Sequence, residues 1–228
     1  MERLLFRVLS TVVFLAPAAF AGPTIINFDF GTVPIVCGQG YAYQAFGGDC
    51  SSIPPQQDFN STPGFGWTLG QGGSGLTGPN SPFNPPPFDG LSFSQAAFLQ
   101  GANSFVSQTI GDFTAGSYTL SFYLGSRYFD GNGSDGNQTV EAVIDGNVIG
   151  TWALTSFTPF TLETDVFTVS SDGSHTLEFM GTNDGDHTAF LSDVNISPMT
   201  TPEPSSLALL ATGVLGCLGK LYRRYRNS

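Results

Sequence analysis

The densest run of oxygen-bearing side chains in this sequence is Asp130-Gly131-Asn132-Gly133-Ser134-Asp135-Gly136-Asn137, with Glu141 at the twelfth place counted from Asp130. Donors at alternate positions followed by a carboxylate suit a hard cation such as Ca²⁺, which binds through oxygen. Position six of the run is Asp135 rather than glycine, and no helical period flanks it, so an EF-hand is excluded. Asp130, Asn132 and Asp135 are candidate ligands of a structural Ca²⁺. The same composition also makes an ordinary solvated turn, and that reading stands beside the first.

Arg127, Tyr128 and Phe129 lead into this run. Aromatic rings with one apolar face and a polar neighbour can stack on sugars, so Trp67, Tyr128 and Phe129, with Arg127, are candidate carbohydrate contacts. Trp152 in Gly150-Thr151-Trp152-Ala153-Leu154 is a further candidate, although aromatics on strands are more often core and Trp152 fits that reading as well. Arg127 also fits a buried salt bridge with a carboxylate.

Catalytic constellations are sparse. The two histidines, His175 and His187, fall at a strand start and in a polar turn, and no nucleophile elbow, Cys/His pair or phosphate loop is present. Glu141 and Glu163 are acids of the kind glycoside hydrolysis pairs. In a chain this acidic such pairs arise by chance, so the sequence reads as non-enzymatic, with a secreted glycan-active enzyme as an alternative.

The termini say where these residues work. Arg3 and Arg7 precede the apolar stretch Val8 to Phe20, and Ala19-Phe20-Ala21 is a small-x-small cleavage site, which predicts a signal peptide over 1–21. At the other end, Pro202-Glu203-Pro204 is followed by an uncharged run from Leu207 to Gly219 and then by Lys220, Arg223, Arg224 and Arg226. An apolar run closed by cations partitions into a bilayer and stops there. Ser205 to Tyr222 is 18 residues, short for a span, with Lys220 able to snorkel.

The tail, taken as Pro202-Glu203-Pro204-Ser205-Ser206-Leu207-Ala208-Leu209-Leu210, the glycine-punctuated apolar run and the arginine cluster, resembles the PEP-CTERM sorting tail of exported bacterial proteins. The resemblance implies that an exosortase recognises and removes the tail. It also implies a stay in the membrane before processing and delivery to the cell surface or extracellular matrix.

Between the ends lies a body, 22–200, large enough for one core. Sixteen of the eighteen carboxylates fall in it against Arg127 alone, so its net charge is near −15. That field repels nucleic acid and anionic lipid and favours cations, neutral sugars or basic partners. Cys37 and Cys50 have twelve residues between them in a Gly-rich exported segment, where a disulfide is the economical reading and two free thiols the alternative. Two cysteines alone do not make a zinc site.

The body predicts an all-β, mainly antiparallel sandwich. Thr24 to Phe30 reads as a first strand, 31–90 as long Gly/Pro-rich loops with a short strand at Phe65 to Leu69, and 96–196 as eight strands at regular spacing. In Tyr118 to Leu124 the apolar face holds Tyr118, Leu120, Phe122 and Leu124; Asp145-Gly146-Asn147 supplies a tight hairpin. The ordered phrases Gln95 to Gln100, Val106 to Ile110, Ala115 to Phe122, Val143 to Gly146, Gly173 to Leu177 and Ala189 to Val194 resemble a galactose-binding-like jelly roll, a group rich in carbohydrate-binding modules. That resemblance implies association with extracellular polysaccharide. It also implies a structural Ca²⁺ tying the first and last strands, with Asp29 and Asp193 in matching places. A matrix protein without a sugar site is the rival reading.

Overall fold

The computed structural model describes residues 22–70, 72–128, 131, 133, 135–199, 213, 214, 222 and 225. Within them the chain forms twelve strands: β1 (Tyr41–Gln44), β2 (Gln56–Gln57), β3 (Thr68–Leu69), β4 (Ser74–Thr77), β5 (Ala96–Gln100), β6 (Phe105–Phe113), β7 (Gly116–Ser126), β8 (Thr139–Ile144), β9 (Asn147–Ala153), β10 (Thr161–Val169), β11 (Gly173–Gly181) and β12 (Thr188–Pro198). One sheet has the order β10-β7-β12-β5-β4-β1-β2 and the other β3-β6-β11-β8-β9. Every named pairing is antiparallel except the two-residue β1–β2 contact.

Period-two patterning sets which face of each strand is buried. Tyr118, Leu120, Phe122 and Leu124 of β7 face Leu177 and Phe179 of β11 and Val140 and Ala142 of β8 across one apolar core. The Asp145-Gly146 turn joins β8 to β9 with both residues at positive φ, 50° and 80°, as the right-handed twist of a two-residue hairpin requires.

Thr24 to Phe30 is not a strand. Asn27 and Phe30 adopt positive φ, 53° and 56°, which folds the segment into turns and ends its alternation. Asn27 then works as a clamp: its Nδ2 donates to the Phe65 carbonyl at 3.0 Å and its Oδ1 accepts from Thr32 N at 2.8 Å. Phe30 is buried against the Trp67 ring, centroids 5.1 Å apart.

The Gly/Pro-rich region 31–90 does more than loop. It contributes β1, β2, β3 and β4, three of them to the seven-stranded sheet. Cys37 and Cys50 are joined by a disulfide, Cα atoms 5.0 Å apart, which pins the loop entering β2. The same region supplies a second apolar cluster on the outer face of that sheet. Phe83, Phe88 and Phe93 from the Pro-rich segment pack on Ala96 and Phe98 of β5 and Phe190 of β12, with Tyr41, Tyr43, Tyr123 and Phe160 around them. Gly75 of β4 makes room for this layer, since a β-carbon there would stand 2.1 Å from the Ala42 carbonyl oxygen and 2.4 Å from the Phe98 ring.

Residues 1–21 and most of 200–228 lie outside the described residues; Gly213, Val214, Tyr222 and Tyr225 are helical. Among the described residues no helix is long and apolar enough to cross a membrane.

Candidate carbohydrate cleft

Three loops meet where β7 leaves its sheet. Ser126 ties two of them: its N donates to the Thr158 carbonyl at 2.9 Å, its Oγ donates to the Thr155 carbonyl at 2.6 Å and accepts from Thr158 N at 2.7 Å. The Phe157 N–H donates to the Arg127 carbonyl at 3.0 Å, and the Tyr128 N–H to the Asn84 carbonyl at 3.2 Å. These bonds hold Tyr128 and Phe157 edge to face, centroids 5.1 Å apart at 81°. Both rings reach solvent, Tyr128 at 55% exposure and Phe157 at 43%. Phe157 has φ 58°, a left-handed conformation that costs a bulky residue energy and that the bracketing bonds impose.

Beside the rings lies an open cleft of about 440 Å³, walled by Asn80, Ser81, Asn84, Pro85 and Pro87. Asn80 and Asn84 also occupy left-handed conformations, φ 60° and 51°, which asparagine tolerates well. Ser81 Oγ bonds Thr77 Oγ1 at 2.7 Å and accepts from Phe83 N at 3.3 Å, fixing the start of the Pro-rich wall. A surface with aromatic faces, prolines and neutral amides suits a ligand with alternating apolar faces and hydroxyls.

Arg127 supports this cleft from below instead of lining it. It is 7% exposed, its Nη1 lies 3.0 Å from Asp186 Oδ1, and its guanidinium sits 4.6 Å from the Phe83 ring centroid. Burial therefore removes it from the candidate sugar contacts and gives the salt-bridge reading. Asp186 also accepts from Gln100 Nε2, and Gln100 Oε1 accepts from the Tyr43 hydroxyl. Burial, chiefly, raises the Tyr43 pKa well above 10.0. Trp67 is corrected in the same way: it is 3% exposed, with its indole N–H donating to the Asn27 carbonyl at 3.0 Å, so no sugar reaches its face. Trp152 packs edge-on to Phe122, centroids 5.0 Å apart. Phe129 lies outside the described residues.

The acidic run divides similarly. Asp130 and Asn132 lie outside the described residues, whereas Asp135 turns both oxygens inward on the protein. Its Oδ1 bonds His187 Nδ1 and accepts from Asn137 N at 2.8 Å, and its Oδ2 accepts from Asn137 Nδ2 at 2.6 Å. Burial pushes its carboxyl up, but the bonds from Asn137 and His187 outweigh it and hold the pKa below the ordinary 3.8. Asp29 and Asp193 sit on adjacent segments: Val194 N donates to the Phe28 carbonyl at 2.9 Å and Ser192 Oγ to the Asp29 carbonyl at 3.3 Å. Asp29 Oδ1 accepts from Gly31 N at 3.0 Å and Asp193 Oδ2 from Ser92 Oγ at 2.8 Å. Among the described residues no three His, Cys, Asp or Glu side chains gather as a metal cluster.

Glu141 and Glu163 do not face each other. Glu141 aligns with Met180 on the outward face of β8, while Glu163 aligns with the core residue Phe122 in the other sheet. Sequence reasoning missed Phe157, Asn80 and Asn84. Their signal was local: an aromatic just ahead of Pro159 in a loop, and Asn residues interleaved with Pro79, Pro82 and Pro85, are types that no strand period explains.

No curated protein matches the chain significantly. Among solved structures, an apo-form cyclase from Fischerella sp. is similar at 15% identity and a TM-score of 0.54, over 81% of this chain and 100% of that one. A cyclase from Fischerella sp. TAU is similar at 13% identity and 0.52, over 79% and 99%. The carbohydrate-binding module CBM36, solved in complex with calcium and xylotriose, is similar at 18% identity and 0.39, over 57% and 92%. At these identities the cyclases show the fold alone: an all-β sandwich. The tail is assigned by sequence, because residues 200–226 match the PEP-CTERM protein-sorting motif, and the chain is a β-sandwich carrying that sorting signal at its C-terminal end.

Proposed function

We propose that this protein is a non-catalytic surface or matrix component that associates with extracellular polysaccharide through the Tyr128–Phe157 cleft. The sorting motif at 200–226 implies export. In the proposal the tail holds the protein in the membrane until an exosortase processes it. The observation that carries the sugar reading is the exposed edge-to-face pair of Tyr128 and Phe157 beside Asn80 and Asn84. Solvated aromatic rings of this kind are costly to leave bare and stack well on pyranose faces, while amides supply the paired donor and acceptor that hydroxyls need. Asp29 and Asp193, on adjacent segments, are the pair assigned to a structural Ca²⁺.

The test is binding of the full chain, in mild detergent, to a polysaccharide panel. Tyr128→Ala and Phe157→Ala should each weaken binding roughly 5- to 30-fold, the effect of losing about 1–2 kcal/mol from a central aromatic contact. Binding that ignores both substitutions, or no binding at all, would return the chain to a matrix protein without a sugar site. Hydrolysis of any polymer in the panel would make it an enzyme.

A further inference from the structure

The charge around the cleft narrows the ligand class further, on the assumption that the Tyr128–Phe157 cleft is a glycan site. Anionic polysaccharides are ordinarily held by arginine or lysine, whose side chains pair with carboxylate, sulfate or phosphate. The body has one such residue, Arg127. It lies beneath the cleft, 7% exposed, with its guanidinium against the Phe83 ring and 3.0 Å from Asp186 Oδ1. Its charge is thus directed at a carboxylate of the protein. The walls facing the ligand are two asparagines, a serine, prolines and two aromatic rings, none of them charged. Beyond them, Asp89 is exposed two residues after Pro87, and Asp186 is partly exposed. The sixteen carboxylates of the body, against one arginine, give it a negative field at long range.

We infer that the cleft accepts neutral polysaccharide chains and rejects polymers carrying uronate, sulfate or phosphate groups. Two forces act in the same direction. Neutral hydroxyls exchange hydrogen bonds with the Asn80 and Asn84 amides without a desolvated charge, while an acidic sugar must lose hydration opposite a surface with no free cation among its described wall residues. At long range the acidic body slows the approach of any polyanion. This repulsion reaches about 30 Å at 0.01 M salt but only about 3 Å at 1 M.

The experiment uses the full chain in mild detergent against dextran, cellulose and xylan, each with its carboxymethylated derivative, at low and high ionic strength. Carboxymethylation should weaken binding roughly tenfold at low salt, with the gap shrinking at high salt, and binding of the neutral polymer should hardly change with salt. Pro87 is exposed on the cleft wall, so Pro87→Lys, compared with Pro87→Gln to cancel the loss of the ring, introduces a cation. It should recover roughly two- to fivefold of the lost binding to the carboxymethylated polymer, the effect of one exposed ion pair. Equal or tighter low-salt binding of the carboxymethylated polymers would overturn the charge inference and leave the glycan site standing. A failure of every neutral polymer to bind, with Tyr128→Ala indistinguishable from the parent chain, would remove the site and the inference together. Lysine and glutamine variants that behave alike would show that charge at the cleft does not govern selection.

Discussion

Replacing Phe157 separates what the fold needs from what the cleft needs. The residue sits at φ 58° with its N–H bonded to the Arg127 carbonyl. Left-handed backbone costs a residue with a β-carbon about 1–2 kcal/mol, a cost glycine escapes. Glycine returns about 0.4–1 kcal/mol of this by loosening the unfolded chain. Phe157→Ala keeps the strain and loses the Tyr128 ring contact, worth about 0.5–1.5 kcal/mol, together with the half-buried area of the ring. Phe157→Gly loses the same ring but releases the strain. The glycine variant should therefore be the more stable of the two by about 0.5–1 kcal/mol, or roughly 1–4 °C in melting temperature for a chain of this size.

The assay is thermal unfolding of the full chain followed by near-ultraviolet circular dichroism, with polysaccharide binding measured on the same samples. Both variants should lose binding to a similar degree, because each removes the ring. An alanine variant that melts at or above the glycine variant would refute the assignment of strain to Phe157. A glycine variant that keeps full affinity would show that the ring is not a ligand platform.

Other consequences follow from single contacts. His175 Nδ1 lies 2.5 Å from Asp145 Oδ2 and its Nε2 lies 3.0 Å from the Ser171 carbonyl, so the bond with Asp145, first, raises its pKa above 6.5. The same bond is the main cause holding the Asp145 carboxyl below 3.8. Stabilisation from His175 is complete below pH 6.5 and is lost as pH rises through its higher folded value. Stabilisation from Asp145 is complete above 3.8 and is lost as pH falls through its lower folded value. The melting temperature of the parent should thus decline on the alkaline side of this window, and His175→Gln should flatten the decline; equal declines in both would sink the account. Gly75→Ala should destabilise the chain by about 2–3 kcal/mol in denaturant titration, since its methyl would enter the Ala42 carbonyl and the Phe98 ring; a loss below about 1 kcal/mol would mean that β4 shifts freely. Trp67→Phe should cost about 1 kcal/mol from the lost bond to the Asn27 carbonyl and leave polysaccharide affinity unchanged, and a loss of affinity would restore Trp67 to the site. Reduction of Cys37–Cys50, with a sequence separation of 13, should cost about 3 kcal/mol in the chain-entropy account, and an unchanged melting temperature under reductant would contradict it.

The sandwich was legible where strands alternate against one core, as in Tyr118 to Leu124, and where Asp145-Gly146 dictates its own turn. Thr24 to Phe30 misled because its β-rich composition says nothing of the positive φ of Asn27 and Phe30, which comes with contacts to Phe65 and Trp67 far along the chain. Trp67 and Arg127 misled for a related reason. Their types suit sugar contacts, but burial is decided by partners 40 and 59 residues away, the Asn27 carbonyl and Asp186. Tyr128 stands exposed where the chain leads into a polar loop, as its neighbours in the sequence suggest. The contact of Phe157 with it could not be read in advance, because it joins rings 29 residues apart in the chain.

The Pro-rich wall explains why the cleft sits at this corner. A sheet with one solvated face would normally carry polar residues outward, yet β5 and β12 turn Phe98 and Phe190 to the outside. Something must cover them, and Phe83, Phe88 and Phe93 do so from a segment whose prolines limit its freedom before folding. Phe83 is the junction. Its ring meets Tyr41, Phe98 and Phe190 within 6 Å on one side and the Arg127 guanidinium at 4.6 Å on the other. Arg127 in turn carries Phe157 on its carbonyl, and Asn84, next to Phe83, carries Tyr128. The aromatic layer that shields the sheet is thereby the footing of the cleft, and a ligand that orders the Asn80 to Pro87 wall would stabilise the outer core through Phe83.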